Sequence, residues 1–209
     1  MLSRQLDVPL YVHALDQTRY VCRTRAGVRS NGGVSMDRLR YPIGQFTVVQ
    51  EITEEQRNQV IQSIAEIPDR LRHAVDGLGL EQLATPYRSE GWTVQQVVHH
   101  LADAEMNAYI RFKRGLTENR PLAGTFREDL WAELDDYQDT PIETSISLLE
   151  ALHNRFVKLL LKLKPSDFER LVTSPTHGDM TLDVAIQRFS WHARHHIAQI
   201  TSLRERMGW

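Results

Sequence analysis

The amino-acid sequence predicts an all-α protein, a four-helix bundle with short connecting helices. Three observations carry that expectation. Long segments have apolar residues recurring at helical spacing, several of them open on recognisable N-terminal caps, and no strict alternation of apolar and polar residues persists long enough to build a sheet. Four such segments of roughly 20–25 residues, joined by long connections, describe a bundle whose sites lie between facing helices.

The first segment opens on Thr53-Glu54-Glu55-Gln56, a capping box in which the threonine and the glutamine satisfy each other's backbone N–H groups. Val60, Ile61, Ile64, Ile67, Leu71 and Val75 follow at helical spacing, Pro68 is expected to kink the helix, and Gly77 and Gly79 end it. A second box, Thr93-Val94-Gln95-Gln96, opens a helix to about Leu116, with Gly115 near its end. Thr140-Pro141-Ile142-Glu143 combines a threonine N-cap, proline at the first helical position and glutamate at the third, and its helix should run to about Lys164, before Pro165. The fourth helix is predicted from near Thr181 to about Met207, with Gly208 beyond it. Between them, 126–134 and 166–171 should each form a turn or two of helix, and 172–180 a small hairpin or extended loop.

Composition bounds the function. The chain has 209 residues, 41% hydrophobic and 25% charged, and 25 Lys+Arg against 27 Asp+Glu leave a net charge of −2. A nucleic-acid binder would carry a basic excess, so none is expected. No apolar run approaches the length of a membrane span, and no apolar h-region follows the start. The single cysteine, Cys22, cannot form an internal disulfide, which suits a cytoplasmic setting. Residues 1–40 read differently from the rest. Arg4, Arg19, Arg23, Arg25, Arg29, Arg38 and Arg40 show no period, and Ser30-Asn31-Gly32-Gly33 is a breaker cluster. This stretch is expected to be an N-terminal extension, disordered or read from a mis-assigned start with Met36 as the native one. A flexible arm or a targeting segment are the alternatives. The bundle is then 41–209.

Nine histidines draw attention, and helix geometry sorts them. With about 100° per residue and Val94 at 0°, the residues Val97, Val98, Leu101, Ala108 and Phe112 define the buried arc of the second helix. His100 lies at about 240°, on its flank, and His99 at about 140°, outside it. With Leu182 at 0°, His192 at about 280° and His196 at about 320° lie on or beside the apolar arc of the fourth helix, whereas His195 near 220° turns toward solvent. Imidazoles four residues apart can reach one ion. Three inward histidines could equally pack in a core or face a partner subunit, and the protease motif His-Glu-x-x-His is absent.

Several motifs now converge. Tyr41-Pro42-Ile43-Gly44, Thr85-Pro86-Tyr87-Arg88, Gly91-Trp92-Thr93-Val94, Val97-Val98-His99-His100-Leu101-Ala102-Asp103, Met106-Asn107, Tyr109-Ile110-Arg111-Phe112-Lys113, Trp191-His192, His195-His196-Ile197-Ala198 and Arg206-Met207-Gly208-Trp209 stand in the order found in one family. From Tyr41 to Trp209 the chain resembles the YfiT-type branch of the DinB superfamily, metal-dependent hydrolases whose relatives include bacillithiol S-transferases. The resemblance implies a four-helix bundle, often a homodimer, and one divalent metal ion, zinc or nickel, on three histidines that correspond to His100, His192 and His196. The wheel argument selects the same three. Where many relatives carry Ser-His before Met-Asn, this chain has Ala104-Glu105. Glu105 falls at about 20°, inside the buried arc. Its charge is either satisfied by an arginine of another helix or placed near the metal as a fourth ligand or catalytic base.

Three neutral imidazoles leave a divalent ion with its charge uncancelled and a position open. Such a site suits activated water for hydrolysis, or a low-molecular-weight thiol bound as thiolate, bacillithiol or a similar one, attacking a small-molecule electrophile. Arg88 and Arg111 are candidates for holding the substrate's or cosubstrate's carboxylates, with ion pairing at the surface as the plainer role. Trp92, Tyr109 and Trp191 read as packing rather than as a substrate cage. A metal-stabilised structural or regulatory bundle without catalysis is the alternative.

Overall fold

The computed structural model describes residues 36–209. Among them the elements run α1 (Met36–Arg40), α2 (Glu54–Ala65), α3 (Ile67–Val75), α4 (Leu80–Leu83), α5 (Val94–Thr117), α6 (Glu128–Trp131), α7 (Asp136–Asp139), α8 (Ile142–Leu160), α9 (Pro165–Phe168), β1 (Leu171–Ser174), β2 (Gly178–Thr181) and α10 (Leu182–Met207). The bundle has α5, α8 and α10 as three long members and the pair α2–α3 as the fourth. Residues 1–35 of the expected extension lie outside the described residues. Residues 36–40, also assigned to it, form α1, and the Arg40 carbonyl accepts from Gln199 Nε2 at 3.1 Å.

The two capping boxes form as the sequence predicts. Thr53 Oγ1 accepts from Gln56 N–H at 3.2 Å and Thr93 Oγ1 from Gln96 N–H at 3.1 Å, with each glutamine side chain returning to the cap's backbone N–H. Thr181 caps α10 by accepting from Val184 N–H at 3.2 Å, and Gly208 at φ +71° closes the other end in the left-handed conformation.

Two starts and stops differ from expectation. The first segment is two helices rather than one kinked helix. Pro68 has no N–H to give the Ile64 carbonyl, so the helix breaks at Glu66 and restarts. The freed Ile64 carbonyl is taken by His153 Nδ1 of α8 at 2.8 Å. The third helix begins one residue later than its sequence signal suggests. Thr140 closes α7, Pro141 takes the N-cap position with no side-chain bond, and the helix ends at Leu160, leaving Pro165 to open α9. The 172–180 stretch is the antiparallel hairpin β1–β2, registered Leu171 against Thr181 and Ser174 against Gly178.

The core is one cluster drawn from all four members: Ile64 and Leu71, Val97, Leu101 and Phe112, Ile146, Leu149 and Phe156, and Leu182, Ile186 and Ile200, all at 1% exposure or less. Helices α5 and α10 run antiparallel, since Gly115 near the end of α5 meets Leu182 at the start of α10. A Cβ at Gly115 would stand 2.8 Å from Leu182 Cδ2 and 2.7 Å from Val172 Cγ1, so glycine is what permits this approach. Polar ties fix the register of the outer contacts. Arg57 grips Asp183 through two bonds of 2.6 and 2.7 Å, joining α2 to α10, and Arg72 reaches Glu143 and Glu150, joining α3 to α8. Among the described residues no helix is long and apolar enough to cross a membrane.

Candidate metal centre

The antiparallel packing of α5 and α10 brings the start of one against the second half of the other. His100 on α5 therefore meets His192 and His196, one turn apart on α10. Their ligating nitrogens lie within 4.8 Å of one another. His100 Nε2 and His192 Nε2 are 3.3 Å apart, and the ring centroids of His196 lie 4.7 Å from His100 and 4.6 Å from His192. Burial holds the ionisation of all three well below the usual imidazole range, and the neighbouring histidines add to it. Neutral rings are what a metal requires of its histidine ligands.

The second face of His196 is fixed by a chain of hydrogen bonds. Gln199 Nε2 donates to the Arg40 carbonyl, so its Oε1 must be the atom facing His196 Nδ1 at 2.8 Å. His196 Nδ1 therefore carries the proton, and the lone pair of Nε2 is left for the cluster. The same Gln199 amino group lies 3.0 Å from His195 Nε2, which accepts. Orientation of a ligating imidazole by a bond to its other nitrogen is the arrangement found around metal-binding histidines. The residues fit a divalent ion on a further ground. Nitrogens bound tetrahedrally at about 2.0–2.1 Å stand roughly 3.3 Å apart, which is the His100–His192 spacing. His100 Nδ1 is also buried without a partner. With an ion at Nε2 the proton of the neutral ring sits on Nδ1, which then faces the protein as a donor.

Aromatic walls close the cluster. Trp92 lies 4.6 Å from His100 and stacks toward His196 at 6.2 Å, and Phe126 faces His100 at 6.3 Å. Trp92 is thus a wall of the site rather than packing alone. Tyr109 packs edge-on against Phe156, and Trp191 stacks on His195 at 4.8 Å.

The other predicted residues fall as follows. His99 and His195 stay off the cluster, but neither faces solvent, being 4% and 6% exposed. His99 Nδ1 meets Ser145 Oγ at 2.7 Å beneath Tyr137, and His195 is covered by Tyr41 and Trp191. Burial lowers the ionisation of both, that of His195 to about 4. The wheel treats everything outside one apolar arc as wet, whereas here a short helix and the segment before α2 cover the flanks. Glu105 is buried at 2%, yet it is not one of the grouped donors. Its carboxylate pairs with His153 Nε2 of α8 at 3.4 Å, so its partner is a histidine rather than an arginine. Arg88 donates within its own turn, to Tyr87 Oη at 3.1 Å and to the Ser89 carbonyl at 2.8 Å. Arg111 is half-buried, its Nε has no partner, and its charge is felt at His192. Gln199, His153 and Arg188 were not singled out by sequence. Arg188 lies one turn before His192 on the same face, so the wheel that selected the histidines would have reached it. Gln199 and His153 depend on contacts between distant segments.

A four-helix bundle with three converging, neutral histidines, one held by a second polar residue, is a metal-site protein whose site is built between facing helices. The sequence profile of the DinB superfamily matches residues 63–200. Proteins of Bacillus mycoides strain KBAB4, Bacillus cereus strain ATCC 10987 and Bacillus anthracis strain A0248, each named "Putative metal-dependent hydrolase", are 49% identical over 174 residues, which is 83% of this chain and 100% of theirs. The solved structure of YfiT from Bacillus subtilis, described as a probable metal-dependent hydrolase with an unusual four-helix bundle topology, superposes with a TM-score of 0.80 at 45% identity, covering 82% of this chain and 99% of that one. The chain belongs to the YfiT-type branch of the DinB superfamily.

Proposed function

We propose that the chain is a metal-dependent enzyme, with one divalent ion, zinc or nickel, on His100, His192 and His196, and that it transfers a low-molecular-weight thiol such as bacillithiol to a small electrophile. The observation that carries the choice of chemistry is the donor set: three neutral imidazoles grouped together with no carboxylate among them. A bound ion supplies Lewis acidity there, and three neutral donors leave its charge uncancelled, which favours an anionic thiolate. The chain's own residues prepare the place. Gln199 holds the His196 ring, burial keeps all three rings unprotonated, and Trp92 and Phe126 pack against His100. Hydrolysis is favoured by the names of the relatives. It would profit from a base beside the attacking water, and the one buried carboxylate of α5 is committed to His153 instead.

The test is turnover of zinc- or nickel-loaded protein with a model electrophile and with a model ester, each with and without bacillithiol. Conjugate formation that needs both metal and thiol is expected, with ester hydrolysis slow. Substantial metal-dependent hydrolysis with no thiol conjugation would overturn the transfer reading in favour of hydrolysis. Stoichiometric metal without either activity would support a structural site.

A further inference from the structure

Beside the histidines lie two cations for which no ion pair is seen among the described residues. Arg111 on α5 and Arg188 on α10 are both half-buried, and the Nε of each is buried with no hydrogen-bond partner among the described residues. Most arginines of this chain that touch the core are paired: Arg57 with Asp183, Arg170 with the Gly115 and Glu118 carbonyls, Arg204 with the carbonyls at the end of α3. Among the described residues Arg111 and Arg188 have no such partner. Arg188 instead lies over the ring of Phe46 at 4.5 Å, which packs one side of the guanidinium and leaves its edge unused. For Arg111 the acidic influence is the charge of Glu128, which does not reach it as a hydrogen bond or ion pair. A half-buried guanidinium without an ion pair is costly, and burial does push both below the usual arginine range.

Helix geometry places the two together. Because α5 and α10 run antiparallel with Gly115 against Leu182, Arg111 stands nearly level with Arg188. Arg188 precedes His192 by one turn, rotated by about 40°, and Arg111 follows His100 by three turns, rotated by about 20°. Both therefore share the face of their helix that carries the cluster histidines. Their fields reach the same two groups, His192 in the cluster and His177 in the hairpin turn.

We propose that Arg111 and Arg188 together hold an anionic group, a carboxylate or a phosphate, of the small molecule whose other end reaches the three histidines. The inference rests on reading the cluster as the reaction site. The planar fork of arginine suits bidentate binding of such groups, and the partly dry setting makes each bond count for more than at the surface. It implies that substrates or thiol cosubstrates carry an acid group about one to three helical turns from the reacting atom, roughly 6–16 Å.

The experiment titrates full-length, metal-free protein with succinate and, separately, inorganic phosphate at low salt, by calorimetry. Wild type is compared with R111M, R188M, R188K and the surface control R70M. Saturable binding of at least one anion is expected, weakened about 10-fold or more in R111M and R188M, less in R188K, and unchanged in R70M. Succinate binding without phosphate binding assigns a carboxylate, and the reverse assigns a phosphate. No saturable binding of either anion, or equal affinity in wild type and both methionine variants, overturns the proposal. Melting of R111M separates this from a structural role, since removal of an unpaired buried cation should leave the melting temperature unchanged or raised. A fall of more than about 5 °C would mark the arginine as structural and count against the proposal. Zinc stoichiometry is measured on the same variants. Zinc retained without anion binding defeats this inference alone, whereas zinc lost from wild type defeats the reading of the cluster on which it stands.

Discussion

Replacing His153 with leucine is expected to destabilise the fold by about 3–5 kcal/mol, and the reason lies in two acceptors that meet one ring. Pro68 leaves the Ile64 carbonyl without its helical donor, and His153 Nδ1–H fills the gap at 2.8 Å. The other nitrogen faces the Glu105 carboxylate at 3.4 Å, longer than a good hydrogen bond but within ion-pair range. With acceptors on both sides the ring gains by carrying two protons. Burial works against the charge, but the Glu105 carboxylate and the Ile64 carbonyl outweigh it, and the ionisation of His153 is raised. Leucine removes the donor to Ile64, at about 1–3 kcal/mol. It also leaves a 2% exposed carboxylate with no counter-charge, which brings the total to the range above. For a chain of this size that is a fall in melting temperature of roughly 6–20 °C, measurable by calorimetry or circular dichroism. Glu105→Gln keeps the shape and removes the charge, and should cost about 1–3 kcal/mol. The double variant Glu105→Met/His153→Leu should recover most of the loss seen in His153→Leu, because no unpaired charge remains.

The pair also sets a pH dependence. A histidine raised in the folded state contributes stability that is fully present below its unfolded value, about 6.5, and is lost as pH rises through the folded value. The stability difference between wild type and the double variant should therefore shrink from pH 6 to pH 9. Two results would refute the reasoning. One is a His153→Leu protein that melts within about 2 °C of wild type. The other is a Glu105→Gln protein that keeps its metal and melting temperature yet loses activity about 100-fold, which would return Glu105 to the chemistry.

His196→Ala should abolish stoichiometric zinc binding in a metal assay while His195→Ala retains it, because only the first ring turns a free nitrogen to the cluster. Gln199→Leu should weaken zinc about 10–100-fold in a chelator competition without unfolding the bundle, since it releases the His196 ring rather than removing it. Gly115→Ala should lower stability by about 1–3 kcal/mol in denaturant unfolding. The added methyl meets Val172 and Leu182, both buried, and the better helix propensity of alanine, worth about 1 kcal/mol, does not offset two contacts below 3 Å.

The bundle was legible because its signals are local. Thr53 and Thr93 announce helix starts within four residues, and the apolar period of α5 and α10 shows which way their side chains turn. The three histidines were legible for the same reason, each having a direction relative to its own helix. Thr140 shows the limit of such signals. Its motif is a sound start in isolation, yet α7 ends on that residue and takes its backbone, so the next helix starts at Ile142. His99 and His195 show another. A wheel knows one helix and cannot know that Tyr137 or Tyr41 will cover its flank.

Glu105 joins these threads. Its inward direction was readable, and so was the cost of burying it alone. Its partner was not, because it lies on a helix 48 residues away in sequence and holds a carbonyl orphaned by a proline on a third helix. A cost that sequence can state and only the fold can settle is the same situation as that of Arg111 and Arg188. In the first case the structure supplies the opposite charge from within. In the second it supplies no ion pair among the described residues, beside three histidines suited to an ion. The same requirement, that a buried charge meet its complement, therefore assigns Glu105 to the architecture of the bundle and the arginine pair to whatever the bundle binds.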